Sequence, residues 1–165
     1  MKLTYDELLQ NEDKRIALMS SVASKIVKDY YDPIIGAAQN DYMINMFQSE
    51  SSIKRQLADG MRYFFVREAD EIIGFICIYP RGDAMYLNKL YLNSGSRGKG
   101  FARSMMDFII SQSKPLGLSA IELNVNKNNP SKFIYEKLGF NRIRSEKNDI
   151  GSGFYMDDYV YRLDF

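Results

Sequence analysis

The stretch Ser96-Arg97-Gly98-Lys99-Gly100-Phe101-Ala102 gathers the residues best suited to chemistry. It follows a strand-like run over 85–92 and opens a helix-like run over 101–113. A helix start exposes backbone N–H groups without partners and a partial positive charge, so anionic oxygens dock there readily. Gly98 and Gly100 allow positive φ and close approach to the main chain, while Arg97, Lys99 and Arg103 add cations. The pattern points to a phosphate-bearing ligand. Two common phosphate loops fit poorly. A Walker A loop needs Ser or Thr after Gly-Lys, where this chain has Gly100, and G-x-G-x-x-G needs glycine where it has Arg103.

The chain contains no histidine, which excludes His-based nucleophile pairs, His-ligated zinc and an imidazole base. Proton transfer must use carboxylate, tyrosine, lysine or water. A net charge of +1 gives no general field for nucleic acid or anionic membrane, so neither is an expected partner. The lone Cys77 offers no disulfide framework and sits in apolar company, as a packed core thiol does. With no apolar leader run at the start, a reducing cytoplasm is expected.

The elements that must position the loop follow from periodicity. A length of 165 residues suits one domain, with a helical part over 1–60, a sheet and loop over 61–125, and a last helix and hairpin over 126–165. Ile16, Met19, Ala23, Ile26, Val27 and Tyr30 predict an amphipathic helix over 13–31, ended by Pro33. Helices over 39–47 and 51–58 follow, the first with Tyr42, Met43, Met46 and Phe47 on its apolar side. Such positions read as core; the alternative is that Tyr30, Tyr31, Tyr42 or Met46 lines an acceptor pocket. Runs at 61–67 and 72–79 predict an antiparallel hairpin, with Gly74 marking a bulge or close backbone approach. The strand over 85–92, the helix over 101–113 and a strand over 119–125 form a βαβ unit, which puts the loop at the end of a parallel strand, where ligands bind. Asn129 reads as the N-cap of a helix beginning at Pro130 and ending at Gly139, and two more strands follow at 140–146 and 154–163. The expected fold class is α/β (α+β), a central mixed sheet of about six or seven strands with helices on both faces.

The spacing Arg97, Gly100, Ala102 meets Arg/Gln-x-x-Gly-x-Gly/Ala, which resembles the acyl-CoA pyrophosphate loop of the GCN5-related N-acetyltransferase superfamily. Leu87, Leu90, Tyr91 and Leu92 resemble the family strand whose backbone pairs with the pantetheine arm. Glu122-Leu123-Asn124-Val125, followed by Asn128, Ser131, Tyr135 and Gly139-Phe140, resembles its second signature. The resemblance covers most of 61–163. It implies an acyl-CoA-binding βαβ core and transfer of an acetyl group from acetyl-CoA, with no metal, to a primary amine of a small molecule or peptide, by direct attack in a ternary complex. By the same resemblance Leu90, Tyr91 and Leu92, the loop from Arg97 to Arg103, and Asn128, Ser131 and Tyr135 bind the cosubstrate, and Tyr135 is the general acid. The family leaves room for a homodimer.

The base is the more revealing residue. At about pH 7.5 a lysine-like amine costs about 4 kcal/mol to deprotonate, whereas a phenol gives its proton to a thiolate at a cost of about 2 kcal/mol. Some relatives carry Glu on the strand before the loop, where this chain has Asn88 and Lys89, so that base does not carry over. Asp158 is the leading substitute, because alternation puts it on the face of Phe154, Met156 and Val160, where a carboxylate interrupts an apolar row. It either acts on the acceptor through a water or satisfies a buried polar network. Asp157 and Glu122 are weaker candidates. The tyrosines and acids over 155–161 suit a cationic acceptor, or simply pack. Competing readings are a catalytically silent acyl-CoA-binding regulatory protein and a nucleotide-binding module built on Lys99.

Overall fold

The computed structural model describes residues 2–165. Strand β1 (Leu3–Leu8) precedes helices α1 (Asp13–Ile35), α2 (Ala37–Gln48) and α3 (Glu50–Ala58). Then come β2 (Arg62–Glu68), β3 (Glu71–Arg81), β4 (Ala84–Leu92), α4 (Phe101–Ser113), β5 (Ala120–Asn126), α5 (Ser131–Lys137), β6 (Asn141–Gly151) and β7 (Phe154–Asp164). The seven strands form a mixed sheet in the order β1-β2-β3-β4-β5-β7-β6. The α/β class, the strand number and the mixed directions agree with the sequence reading.

The chain falls into two compact units, one taking the residues up to Tyr79 with Lys89–Ser104, the other Pro80–Asn88 with Met105–Phe165. In the first, the predicted hairpin forms, with β2 antiparallel to β3 and a register shift at Val66/Arg67 opposite Gly74. A Cβ on Gly74 would lie 2.2 Å from the Tyr91 carbonyl oxygen, so the close backbone approach is the reason for glycine. Ile16, Met19, Ala23, Ile26 and Val27 of α1 are buried with Phe65, Phe75 and Cys77 of the hairpin. Cys77 is a core thiol whose burial pushes its pKa up to about 12.

In the second unit β4 and β5 pair in parallel from Ala84↔Ala120 to Leu87↔Leu123, as a βαβ unit requires. Strand β7 joins β5 and β6 antiparallel. Arg162 ties these strands by donating to Glu122 at 2.6 Å and to Asp83 at 3.0 and 2.9 Å.

Four expectations need correction. The first sixty residues are not helix alone, because β1 pairs antiparallel with β2. Only Leu3 and Leu8 of β1 are buried, so its sequence carries little apolar alternation. Its partner lies about 60 residues away, and Arg62 grips Glu7 with two hydrogen bonds of 2.9 and 3.0 Å. Helix α1 runs through Pro33 to Ile35, closed by Gly36 N–H donating to Asp32 O at 3.0 Å. A proline this near a helix end forfeits one interior bond without stopping the chain. On α2 the fully buried residues are polar, Asn40 and Gln48, while Tyr42, Met43, Met46 and Phe47 stay half-buried. Last, α5 begins one residue late, with Pro130 at the boundary, although Asn129 still accepts from Ser131 N–H at 2.9 Å.

Candidate functional site

In the first unit the loop leaves β4 through a 3-10 turn at Ser94–Ser96, held by Asn93 N–H donating to Ile73 O at 2.8 Å. Gly98 and Gly100 stand at φ 75° and 78°, the left-handed region that favours glycine. A Cβ at either position would meet nothing within 4 Å, so the backbone there faces open space. Phe101, 6% exposed, plants the first residue of α4 in the core. That fixes a helix start, with its unpaired amides and positive dipole end, directly after the two glycines.

Arg97 is oriented by the protein. Its Nε donates to Leu92 O at 3.0 Å and its guanidinium carbon lies 4.6 Å from the Tyr30 ring centre. Lys99 and Arg103 are exposed, and Leu90, Tyr91 and Leu92 are half-buried. The Tyr91 ring stacks on Phe75 at 5.4 Å and meets Tyr31 edge-on at 5.9 Å and Tyr30 at 6.3 Å. A pocket of about 530 Å³ beside the loop is lined by Lys25 and Asp29 of α1, Glu68 and Glu71, and Asn93, Arg97 and Lys99.

In the second unit Asn126 accepts from Asn128 N–H at 2.9 Å, turning the chain into α5. Asn128 is exposed, Ser131 half-buried, and Tyr135 9% exposed with its ring edge-on to Phe140 at 5.6 Å. Asp158 is 4% exposed, as the broken apolar row on β7 suggested. Its Oδ2 accepts from Asn124 Nδ2 at 3.3 Å. The same amide donates to Glu146 Oε2 at 3.1 Å, and its oxygen accepts from the Tyr86 hydroxyl at 2.8 Å. Burial, helped by the carboxylates of Glu146 and Asp157, pushes the Asp158 pKa up to about 6. An acid of that strength is ionised at neutral pH yet takes a proton far more readily than an ordinary carboxylate. The weaker candidates are spoken for: Glu122 pairs with Arg162 at 2.6 Å and Asp157 with Lys127 at 3.1 Å.

Sequence reasoning missed the surroundings of Lys89. This side chain is 6% exposed and donates to Phe47 O at 2.8 Å and to Gln48 Oε1 and Gln56 Oε1 at 3.0 Å. It also donates to the Tyr63 hydroxyl. The usable signal was a cation inside the strand-like run over 85–92. The glutamines that receive it, on α2 and α3, carry no such signal.

The loop thus stands at the head of the helix that follows β4. The model of the acetyltransferase (GNAT) family matches residues 25–140, and the chain belongs to that family. A curated relative, the [ribosomal protein bS18]-alanine N-acetyltransferase of Haemophilus influenzae, is 35% identical over 92 residues, or 54% of this chain. The match spans 62% of that relative's length. Among solved structures, the PaiA N-acetyltransferase of Thermoplasma acidophilum, in complex with coenzyme A, superposes over all of both chains with a TM-score of 0.78 at 18% identity. The spermidine N-acetyltransferase of Vibrio cholerae gives a TM-score of 0.65 at 20% identity, covering 98% of this chain and 93% of that one. These two likenesses establish the fold. Among the described residues no helix is long and apolar enough to cross a membrane.

Proposed function

We propose that the chain transfers an acetyl group from acetyl-CoA to a primary amine of a small molecule or peptide, by direct attack in a ternary complex. The observation that carries this reading is the loop: two glycines at φ 75° and 78°, open space over both, and a 13-residue helix starting behind them. That geometry fits a diphosphate, whose oxygens would take the amides of Gly98, Gly100, Phe101 and Ala102 and the charges of Arg97, Lys99 and Arg103. The strand end Leu90–Tyr91–Leu92 would pair with the pantetheine arm, and Asn128 and Ser131 would bond it farther along.

In the reaction a neutral amine nitrogen attacks the thioester carbon, the carbonyl oxygen takes the negative charge, and the C–S bond breaks as the oxyanion collapses. Backbone N–H at the end of β4 would hold the oxyanion. Tyr135 would protonate the departing sulfur, and Asp158, through water, would receive the proton released by the amine. Support for an amine acceptor comes from the Haemophilus relative, named for a protein alanine, and the Vibrio enzyme, named for spermidine. We assign the protein to the cytoplasm, where a lone Cys77 stays reduced.

Thiol release from acetyl-CoA tests the reading, with spermidine and an alanine-headed peptide as acceptors. Release that depends on either amine is expected. No release with any amine, or release that ignores the amine, contradicts it.

A further inference from the structure

A polar row crosses the second unit, and Asp158 belongs to it. Tyr86 of β4, Asn124 of β5, Asp158 of β7 and Glu146 of β6 stand on four neighbouring strands of the sheet. Asp158 lies directly opposite Glu146 in the β6–β7 ladder and diagonal to Asn124, whose own ladder partner is Val160. Side chains directly opposite on antiparallel strands share a face, with Cβ atoms about 5 Å apart, so two carboxylates placed there repel. The Asn124 amide stands between them. Its Nδ2 donates to Glu146 Oε2 at 3.1 Å and to Asp158 Oδ2 at 3.3 Å, which uses both of its hydrogens. The Tyr86 hydroxyl donates to Asn124 Oδ1 at 2.8 Å, and the Arg81 guanidinium covers the Tyr86 ring at 3.8 Å. A flipped amide would turn its oxygen onto two carboxylates, so both ends of the side chain fix its orientation.

The two carboxylates are treated unequally. Glu146 lies on the edge strand, and its Oε1 accepts from Arg144 Nε at 2.9 Å. The Arg144 guanidinium, and after it the Asn124 amide, hold the Glu146 carboxyl below its ordinary range. Asp158 is buried, and among the described residues Asn124 is the one side chain that donates to it. The remaining charges that act on it are Asp157, its neighbour on β7, and Lys127, which is engaged by Asp157 at 3.1 Å. The pair therefore takes its first proton on Asp158, with Glu146 still ionised beside it.

We propose that Asn124 and Glu146 are positioning residues for Asp158: the shared amide fixes one oxygen of its carboxylate, and the ionised Glu146 opposite keeps that carboxylate ready to take a proton. The kinetic part rests on the acetyl-transfer reading, with Asp158 as the proton acceptor. The pairing of the two carboxylates through one amide does not.

Carbon-13 NMR titration of the side-chain carboxyl groups, from about pH 4 to 9, tests it in the wild type, Asn124→Leu and Glu146→Gln. The Asp158 resonance is identified by its loss in Asp158→Asn. Asn124→Leu removes the donor and should move the Asp158 midpoint up by about one pH unit. Glu146→Gln removes the like charge and should move it down by about half a pH unit. Midpoints that stay put, or that move in the same direction, overturn the proposal. If Asn124→Leu does not fold, Glu146→Gln on the edge strand decides alone, and a midpoint that fails to fall overturns it. The acid limb of kcat, measured with whichever of spermidine and the alanine-headed peptide turns over, should follow the NMR midpoint in each variant. A limb that ignores both midpoints refutes the positioning role. Opposed NMR shifts in a protein that acetylates neither amine would uphold the carboxylate pair and count against the acetyl-transfer reading alone.

Discussion

Lys89 and Asp158 are the same kind of anomaly treated in opposite ways. Each is a charged residue on the inward beat of a strand, 6% and 4% exposed. Burial moves the lysine down to about 8 and the aspartate up to about 6, so both ionised forms are held near neutrality against their preference. Lys89 donates to four oxygens, and burial still lowers its pKa. Asp158 has one amide donor, already shared with Glu146, and two carboxylates nearby. A saturated shell makes a fastener, and an unsaturated one beside like charge makes a proton acceptor. Lys89 is accordingly a buried structural contact, and Asp158 is the residue for which we propose a chemical role.

The largest effect should come from separating donor binding from both residues. Gly100→Trp fills the open space over the loop and should weaken acetyl-CoA binding more than about a hundredfold, measured by calorimetry. Gly100→Ala bears the same positive-φ strain, about 1 kcal/mol, without the bulk, and should bind within about tenfold of the wild type. Equal losses in the two would move the fault from occupancy to strain.

Next in size is Asp158→Asn, which should lower turnover about 10²-fold, the lower end for a general base, and abolish the limb of the pH–rate profile near 6. Unchanged activity would make Asp158 a second fastener. The stability profiles should also diverge. The Asp158 pKa is raised on folding, so its contribution is full below about 4 and lost as pH rises through 6. The Lys89 pKa is lowered, so its contribution is present above about 10.5 and lost as pH falls through 8. Urea unfolding across these windows should show each slope vanish in Asp158→Asn and Lys89→Met respectively. The smallest effect is expected of Tyr135→Phe, a loss of about tenfold in turnover with acetyl-CoA affinity intact, because a thiolate is already a fair leaving group.

Much of this was legible in the residues. The glycine loop, the strand before it and the helix after it follow from local spacing, and the bounds of α4 match the expected 101–113. The Asp158 anomaly was visible as a carboxylate in an apolar row on β7. What escaped was set by partners far along the chain. Strand β1 owes its place to pairing with Arg62–Glu68, and its own polar interior gives no period. The Lys89 shell draws on residues 26 to 42 positions away, and glutamines have no local reason to be buried. On α2 the apolar period implied a core face, but the helix turns Asn40 and Gln48 inward because Val27 O, Asp32 and Lys89 supply their partners.

The most direct test of donor recognition is a thermal-shift series with acetyl-CoA, CoA, ATP and NAD. At about 100 times its Kd a ligand adds about 2.7 kcal/mol, which for a chain of this size raises the midpoint by roughly 5–10 °C. That shift is expected with acetyl-CoA and CoA, and none with ATP or NAD. No shift with CoA, or a larger one with ATP, would contradict it.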